Sequence, residues 1–303
     1  MSGRFITTKN KKRKGKMLFF FLMFVFGMIS TFKYLDNNVK KVNDKEFVEI
    51  ILGDNFNNSL LDEVFNFRKY IKPINLLMDK YNNVLEKDTE VEEVINVSEP
   101  VIYIYNSHQT EEYAASDFVE FSVRPTVMMV DYILEDVFNN NKYKTIVEER
   151  SIKEILNQNN WKYNNSYKAS RILMEDAFSK NSSLKYFIDI HRDSLDSSKT
   201  TVNINGKDFA KTIFLIGLEN ENYLANLEFT ERINNKMNEK YPGLSKGIYK
   251  KSGPLVNGIY NQDFSSFTIL LEVGGFESTT TEVLNSSLAF AECFLEVIRT
   301  YYE

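Results

Sequence analysis

The chain predicts an α/β fold: a mostly parallel twisted sheet flanked by helices. Three observations predict it. From Val101 onward, short β-branched and aromatic runs alternate with longer stretches of helical spacing. The first of these runs, Val101–Tyr105 (VIYIY), has the unbroken apolar character of a buried strand. With 43% hydrophobic and 14% aromatic residues, the chain has the apolar side chains to build a core.

After the strand at 101–105, the segment 125–140 (PTVMMVDYILEDVFNN) reads as a helix opening at Pro125, a favourable first-turn residue. KTIVEE, 144–149, reads as an edge strand, and SYKASRILMEDAFSKN, 166–181, as a helix. Lys185–Ile190 (KYFIDI) and 211–218 (KTIFLIGL) are strands, and 223–241 is a helix between two of the apolar runs. Phe267–Val273 (FTILLEV) is the last strand, and the helix around Cys293 closes the pattern. Cys293 is the one cysteine, read as a small buried apolar residue, so no disulfide joins two parts of this chain.

The N-terminal third is organised differently. Arg4, Lys9, Lys11, Lys12, Arg13, Lys14 and Lys16 precede an uncharged run, Met17–Phe32 (MLFFFLMFVFGMISTF). Extended by Lys33, whose stem can snorkel, Tyr34 and Leu35, this run predicts a membrane-spanning helix over 17–35. The lysines ahead of it place the N-terminus in the cytoplasm and the remainder outside. A cleaved signal peptide is the rival, but the run is long for one and lacks a small-x-small cleavage site near Gly27–Thr31. Residues 36–97 carry interrupted helical spacing, broken at Pro73, and read as a helical stalk; an acidic stretch ending at Pro100 reads as its linker.

Charge excludes one class of partner. The chain holds 37 basic and 42 acidic residues, and with seven basic residues ahead of Met17 the rest carries a formal charge of −12. Phosphate binding needs a basic face, so nucleic acid is not the partner.

Sites in open α/β sheets lie beyond the carboxyl ends of the strands. Three predicted strands end in a ligand or a base: Val101–Tyr105 runs into His108, Lys185–Ile190 into His191, and Phe267–Leu271 into Glu272. Both histidines of the chain therefore gather on one rim. His108 and Glu111, at i and i+3, share one face of a helical turn, and His191 would complete a His₂Glu set of the kind that holds catalytic zinc. Glu111 and Glu112 are both available as the carboxylate.

Four stretches then resemble the stage II sporulation protein P family of cell-wall hydrolases: IYNSHQTEEY after the first strand, YNNSYKASR (Tyr163–Arg171), DIHRDS (Asp189–Ser194) and GIYNQDFSSFTILLEVGGFEST (Gly258–Thr279). Together they span most of 101–303. The resemblance implies an amidase fold with one zinc ion, hydrolysis of the N-acetylmuramoyl–L-alanine amide of peptidoglycan, and cleavage of stem-peptide cross-links as a further activity. It assigns zinc to His108, Glu111 and His191. Glu272 becomes the catalytic carboxylate, which takes a proton from water and returns it to the departing nitrogen. Arg192 is then a candidate for holding a stem-peptide carboxylate, or else pairs with Asp189 or Asp193. Asn261 and Gln262, with Tyr260 and Asp263, either line the substrate groove or cap a loop. Asn106 stands where the family has the first histidine of its H-T-H motif, and Ser278 where it has asparagine.

The expected organisation is a cytoplasmic basic tail over 1–16, an anchor over 17–35, a stalk over 36–97 and a catalytic domain over 98–303. The resemblance further implies a role in remodelling the sporulation septum, with a lytic glycosidase and a membrane scaffold as partners. Two alternatives use the same residues: a zinc peptidase acting only on cross-links, and a degenerate amidase that binds peptidoglycan without cleaving it.

Overall fold

A computed structural model of the chain describes residues 42–52, 97–114 and 125–301. The basic tail, the anchor expected over 17–35 and most of the expected stalk lie outside the described residues. Among the described residues, no helix is long and apolar enough to cross a membrane.

The elements follow in the order α1 (Asp44–Leu52), β1 (Val97–Tyr105), α2 (Met128–Asn140), β2 (Tyr143–Val147), α3 (Ile152–Gln158) and α4 (Ser166–Lys180). After these come β3 (Tyr186–Asp193), β4 (Thr201–Ile204), β5 (Lys207–Ala210), β6 (Thr212–Gly217), α5 (Tyr223–Lys240), β7 (Ser245–Lys251), β8 (Thr268–Gly275) and α6 (Thr280–Arg299). Six strands form one sheet in the order β2-β1-β3-β8-β6-β7, and β4 and β5 pair as a separate hairpin. Helix α2 begins at Met128 rather than Pro125, because Pro125 and Thr126 are drawn into extended pairing with Glu112.

The sheet is mostly parallel, as expected, but mixed: one of its five strand pairings, β6 with β8, is antiparallel. Strands β2, β1, β3 and β8 are parallel to one another; β6 and β7 are parallel to each other but antiparallel to β8. The cause is the connection out of β3. Residues 194–211 are spent on one helical turn and the β4–β5 hairpin, with no crossover helix to carry the chain back to the other end of the sheet, so β6 starts where β3 finished. Asn205 and Gly206 make the hairpin turn at φ of 52° and 81°, the left-handed pair that an Asn-Gly turn requires.

Helices cover both faces. Met174 and Ala177 of α4 pack on Tyr103, Tyr105 and Phe187, and α3 leans on α4 through Ile152, Leu156, Ala169 and Leu173, with Trp161 partly buried against them. On the opposite face Phe294 of α6 meets Tyr186 and Phe138 of α2, and Phe229 of α5 meets Tyr186. Helix α6 is buried along most of its length, including the free thiol of Cys293, and a Thr279–Glu282 capping box starts it. The alternation of β3 then sets the chemistry: Phe187, Asp189 and His191 leave the strand on the α4 face and Tyr186, Ile188 and Ile190 on the other.

Helix α1 falls inside the stretch expected as stalk. It opens with a reciprocal cap, Glu46 N–H donating to Asn43 Oδ1 and Asn43 N–H donating to Glu46 Oε2. Its buried face, Phe47, Val48 and Ile51, packs against α2.

Candidate metal centre

The carboxyl ends of β1, β3 and β8 form one rim, and the predicted residues converge there. Beyond β1 the chain turns tightly, with Glu111 N–H donating to the His108 carbonyl at 3.1 Å, so the i, i+3 pair lies on one face of that turn. His108 Nδ1 is 3.4 Å from Glu111 Oε1, and His191 Nδ1 is 3.5 Å from Glu111 Oε2. One ligand atom from each of the three residues lies within 4.8 Å of the others. A tetrahedral zinc ion with bonds near 2.0–2.2 Å spaces its ligand atoms about 3.3–3.6 Å apart, so the His108–Glu111 and Glu111–His191 spacings suit that ion. Of the two neighbouring carboxylates, Glu111 lies between the imidazoles, while Glu112 is exposed and pairs through its backbone with Thr126.

A second layer orients His191. Its Nε2 is 2.9 Å from Ser107 Oγ and 3.1 Å from Asp189 Oδ1. Asp189 is fully buried and also accepts from the Ser107 amide and hydroxyl, each at 2.8 Å. With Nε2 claimed by this clasp, Nδ1 is the nitrogen presented to Glu111. Imidazole ligands are held this way by a carboxylate on the far nitrogen. The signal was present in the sequence, since Asp189 and His191 are two residues apart in a strand and must share a face.

Electrostatics matches the geometry. Burial alone would raise the Glu111 carboxyl, but hydrogen bonds with His108 and His191 and from the Arg192 amide hold it well below the usual carboxylate range. Burial would lower the His191 imidazole, yet Asp189 and Glu111 push it up to about 10. The two carboxylates thus call for positive charge at this point, which a proton or a metal cation can supply. Glu272, the register partner of His191, is different: burial first, then Asp193, raise its carboxyl to about 7. Lys246 reaches Asp193 at 3.2 Å from β7 and completes this side of the rim.

Aromatic rings wall the centre. Tyr163, about half exposed, stacks on His108 at 4.9 Å, and Tyr167 lies 5.4 Å from His108 and 6.2 Å from His191 between ring centroids. Tyr167 also hydrogen-bonds Ser107, and burial beside Asp189 keeps its phenol protonated.

Other predicted residues have structural tasks. Arg192 pairs with neither Asp189 nor Asp193 through their carboxylates; its Nε donates to the Glu112 carbonyl at 2.7 Å and Nη1 to the Asp193 carbonyl at 3.1 Å. It therefore braces the Glu111 loop. Gln262 is fully buried, donating to Leu215 O and accepting from Gly217 N–H, so it closes the end of β6 and has no surface to offer a substrate. Asn261 donates to Tyr167 O and Ser170 Oγ, and both carboxylate oxygens of Asp263 accept from Arg171 Nη1. Of the two readings of this loop, the structure favours the capping one: the GIYNQDF and SYKASR motifs are fastened to each other. Asn106 does not belong to the ligand cluster; it is buried, with its amide donating to Asp131 and to Ile190 O. Ser278 accepts from Gly275 N–H and holds the turn after β8, where Gly274 sits at φ 67° and a Cβ on Gly275 would lie 2.2 Å from Leu195 O.

The family model for Stage II sporulation protein P (SpoIIP) matches residues 39–295. Stage II sporulation protein P of Bacillus subtilis (strain 168) is 33% identical over 204 residues, 65% of this chain. The chain spans about half the length of that relative, 51%. Among solved structures, the CwlD amidase from Clostridioides difficile in complex with the GerS lipoprotein aligns at a TM-score of 0.42 and 14% identity, covering 67% of this chain and 98% of the other. The N-acetylmuramoyl-L-alanine amidase AmiC2 of Nostoc punctiforme aligns at 0.39 and 10%, covering 67% and 97%.

Proposed function

The chain belongs to the stage II sporulation protein P family, and from that membership and the rim geometry we propose that it is a zinc-dependent peptidoglycan hydrolase cleaving the N-acetylmuramoyl–L-alanine amide. The observation that carries the reading is the convergence of His108, Glu111 and His191 on one point, with Glu272 beside it. The organisation proposed with it is a tether through residues 17–35 and a domain outside the cytoplasmic membrane, acting on the sporulation septum with a lytic glycosidase and a membrane scaffold.

His108, Glu111 and His191 would hold the ion, which supplies Lewis acidity and a water of lowered pKa. The chain's own residues do the rest. Asp189 and Ser107 fix the His191 ring. Glu272, with a carboxyl near neutrality, accepts the proton that water loses as its oxygen bonds to the lactyl carbonyl carbon. It then delivers that proton to the alanine nitrogen as the C–N bond breaks.

The test is a digest of purified sacculi by the full chain, followed by mass spectrometry. Free stem peptides beginning at L-alanine are the expected product. Separated cross-linked dimers without free stems would instead mark a peptidase, and undigested sacculi that retain the protein would mark a binding module.

A further inference from the structure

The turn that carries Glu111 has little regular structure of its own. Past Glu111 the chain makes a single antiparallel bridge, Glu112 opposite Thr126, in which Tyr113 N–H donates to Pro125 O at 2.8 Å and Val127 N–H donates to Glu111 O at 3.0 Å. An isolated bridge has no neighbouring ladder to keep it closed. Its outer member, Thr126, is held from elsewhere: Asp44, in the first turn of α1, accepts from Thr126 N–H at 3.1 Å and from Thr126 Oγ1 at 2.6 Å. The same Thr126 hydroxyl oxygen accepts from Met128 N–H, so the Asp44 carboxylate also sits at the start of α2, where negative charge is favoured. Phe47, Val48 and Ile51 bury the face of α1 behind it. A further polar tie of this helix, Lys45 to Glu149 at 2.8 Å, joins two half-exposed side chains and contributes little.

We propose that α1 is a positioning element of the metal centre: Asp44, acting through Thr126, fixes the backbone of Glu111 and with it the carboxylate that bridges the two histidines. The chain ahead of the expected catalytic domain is thereby part of the site's support. The proposal rests on reading His108, Glu111 and His191 as a metal centre. Because coupling between two events is reciprocal, metal uptake must also tighten α1 against the domain. Whatever pulls α1 away releases the Glu111 turn.

The full chain is tested with three readouts: zinc affinity by competition with a chromophoric chelator, the visible spectrum of the cobalt-substituted protein, and amide hydrogen exchange. Asp44→Ala is expected to weaken zinc about tenfold, as loss of an outer-layer support does, and to change the cobalt spectrum. Asp44→Glu should recover part of both. In the wild type, zinc should slow exchange in Phe47–Ile51, and Asp44→Ala should remove that effect. Unchanged affinity and spectrum in Asp44→Ala, with no response of α1 to zinc, would overturn the proposal. Where Asp44→Ala does not fold, Thr126→Val against Thr126→Ser decides it: the hydroxyl-bearing variant should keep wild-type affinity and the other lose it, and equal affinities would refute the route. Should the wild type take up neither zinc nor cobalt, the metal reading falls by itself. The clasp is then judged on the amides of Tyr113 and Val127, whose exchange must quicken in Thr126→Val; no change there would refute the clasp as well.

Discussion

His191 and Glu272 occupy matched positions in neighbouring parallel strands, so their side chains leave the sheet side by side on the α4 face. One is a ligand candidate whose far nitrogen is clasped; the other is a half-buried carboxylate outside that cluster. Glu272→Gln keeps the shape and removes the proton carrier. It should retain zinc at wild-type stoichiometry and lose about 10²–10⁴-fold in turnover of sacculi. Metal analysis beside digest rates checks this, and retained turnover would take Glu272 out of the mechanism.

Adjacent carboxylates at 111 and 112 should separate cleanly. Glu111→Gln removes the charge lying between the two imidazoles and should abolish stoichiometric zinc, whereas Glu112→Gln should leave it bound, since what ties Glu112 to Thr126 is backbone. Equilibrium dialysis decides. Equal loss in both variants would mean the turn rearranges to use either.

Asp189 tests the orientation of His191. Asp189→Asn keeps size but weakens the hold on the imidazole Nε2, so zinc affinity should fall about 10–100-fold. A chelator titration reads it directly, and an unchanged dissociation constant would make Asp189 a core residue and nothing more.

Glu148 tests the pH dependence of stability away from the rim. Burial would raise this carboxyl, but Arg150 and the Tyr103 hydroxyl hold it below its ordinary value of 4.5. A depressed carboxylate stabilises the folded state above its unfolded pKa, and that contribution disappears as pH falls through the folded value. Glu148→Gln should cost about 1–3 kcal/mol at pH 7. Urea unfolding of both proteins should show the gap closing below pH 4.5; a constant gap down to strongly acidic pH would refute the assignment.

Much of the rim was legible because strand ends are marked by abrupt changes of polarity: VIYIY before His108, KYFIDI before His191, FTILL before Glu272. The direction of β6 was not, since an apolar run reads the same both ways and only the chain length spent on the β4–β5 hairpin fixes its sense. Strand β7 carries no strand signal in the sequence because, as an edge strand, it holds Lys246, Lys250 and Lys251 and lacks apolar alternation. Arg192, Asn261 and Gln262 look free in a sequence because backbone carbonyls and amides, the partners they meet, leave no trace in one. Thr126 and Asp44 are 82 positions apart, beyond what local spacing can join.

The lysines of β7 have a consequence for how molecules of this protein behave when crowded. An outermost strand offers its unpaired backbone to any other chain, and identical copies concentrated on one surface would extend sheet into sheet. Lys250 and Lys251, with Gly247 at φ 97°, make that border unfavourable to its own image and bend it from flatness. A further strand is therefore disfavoured along β7.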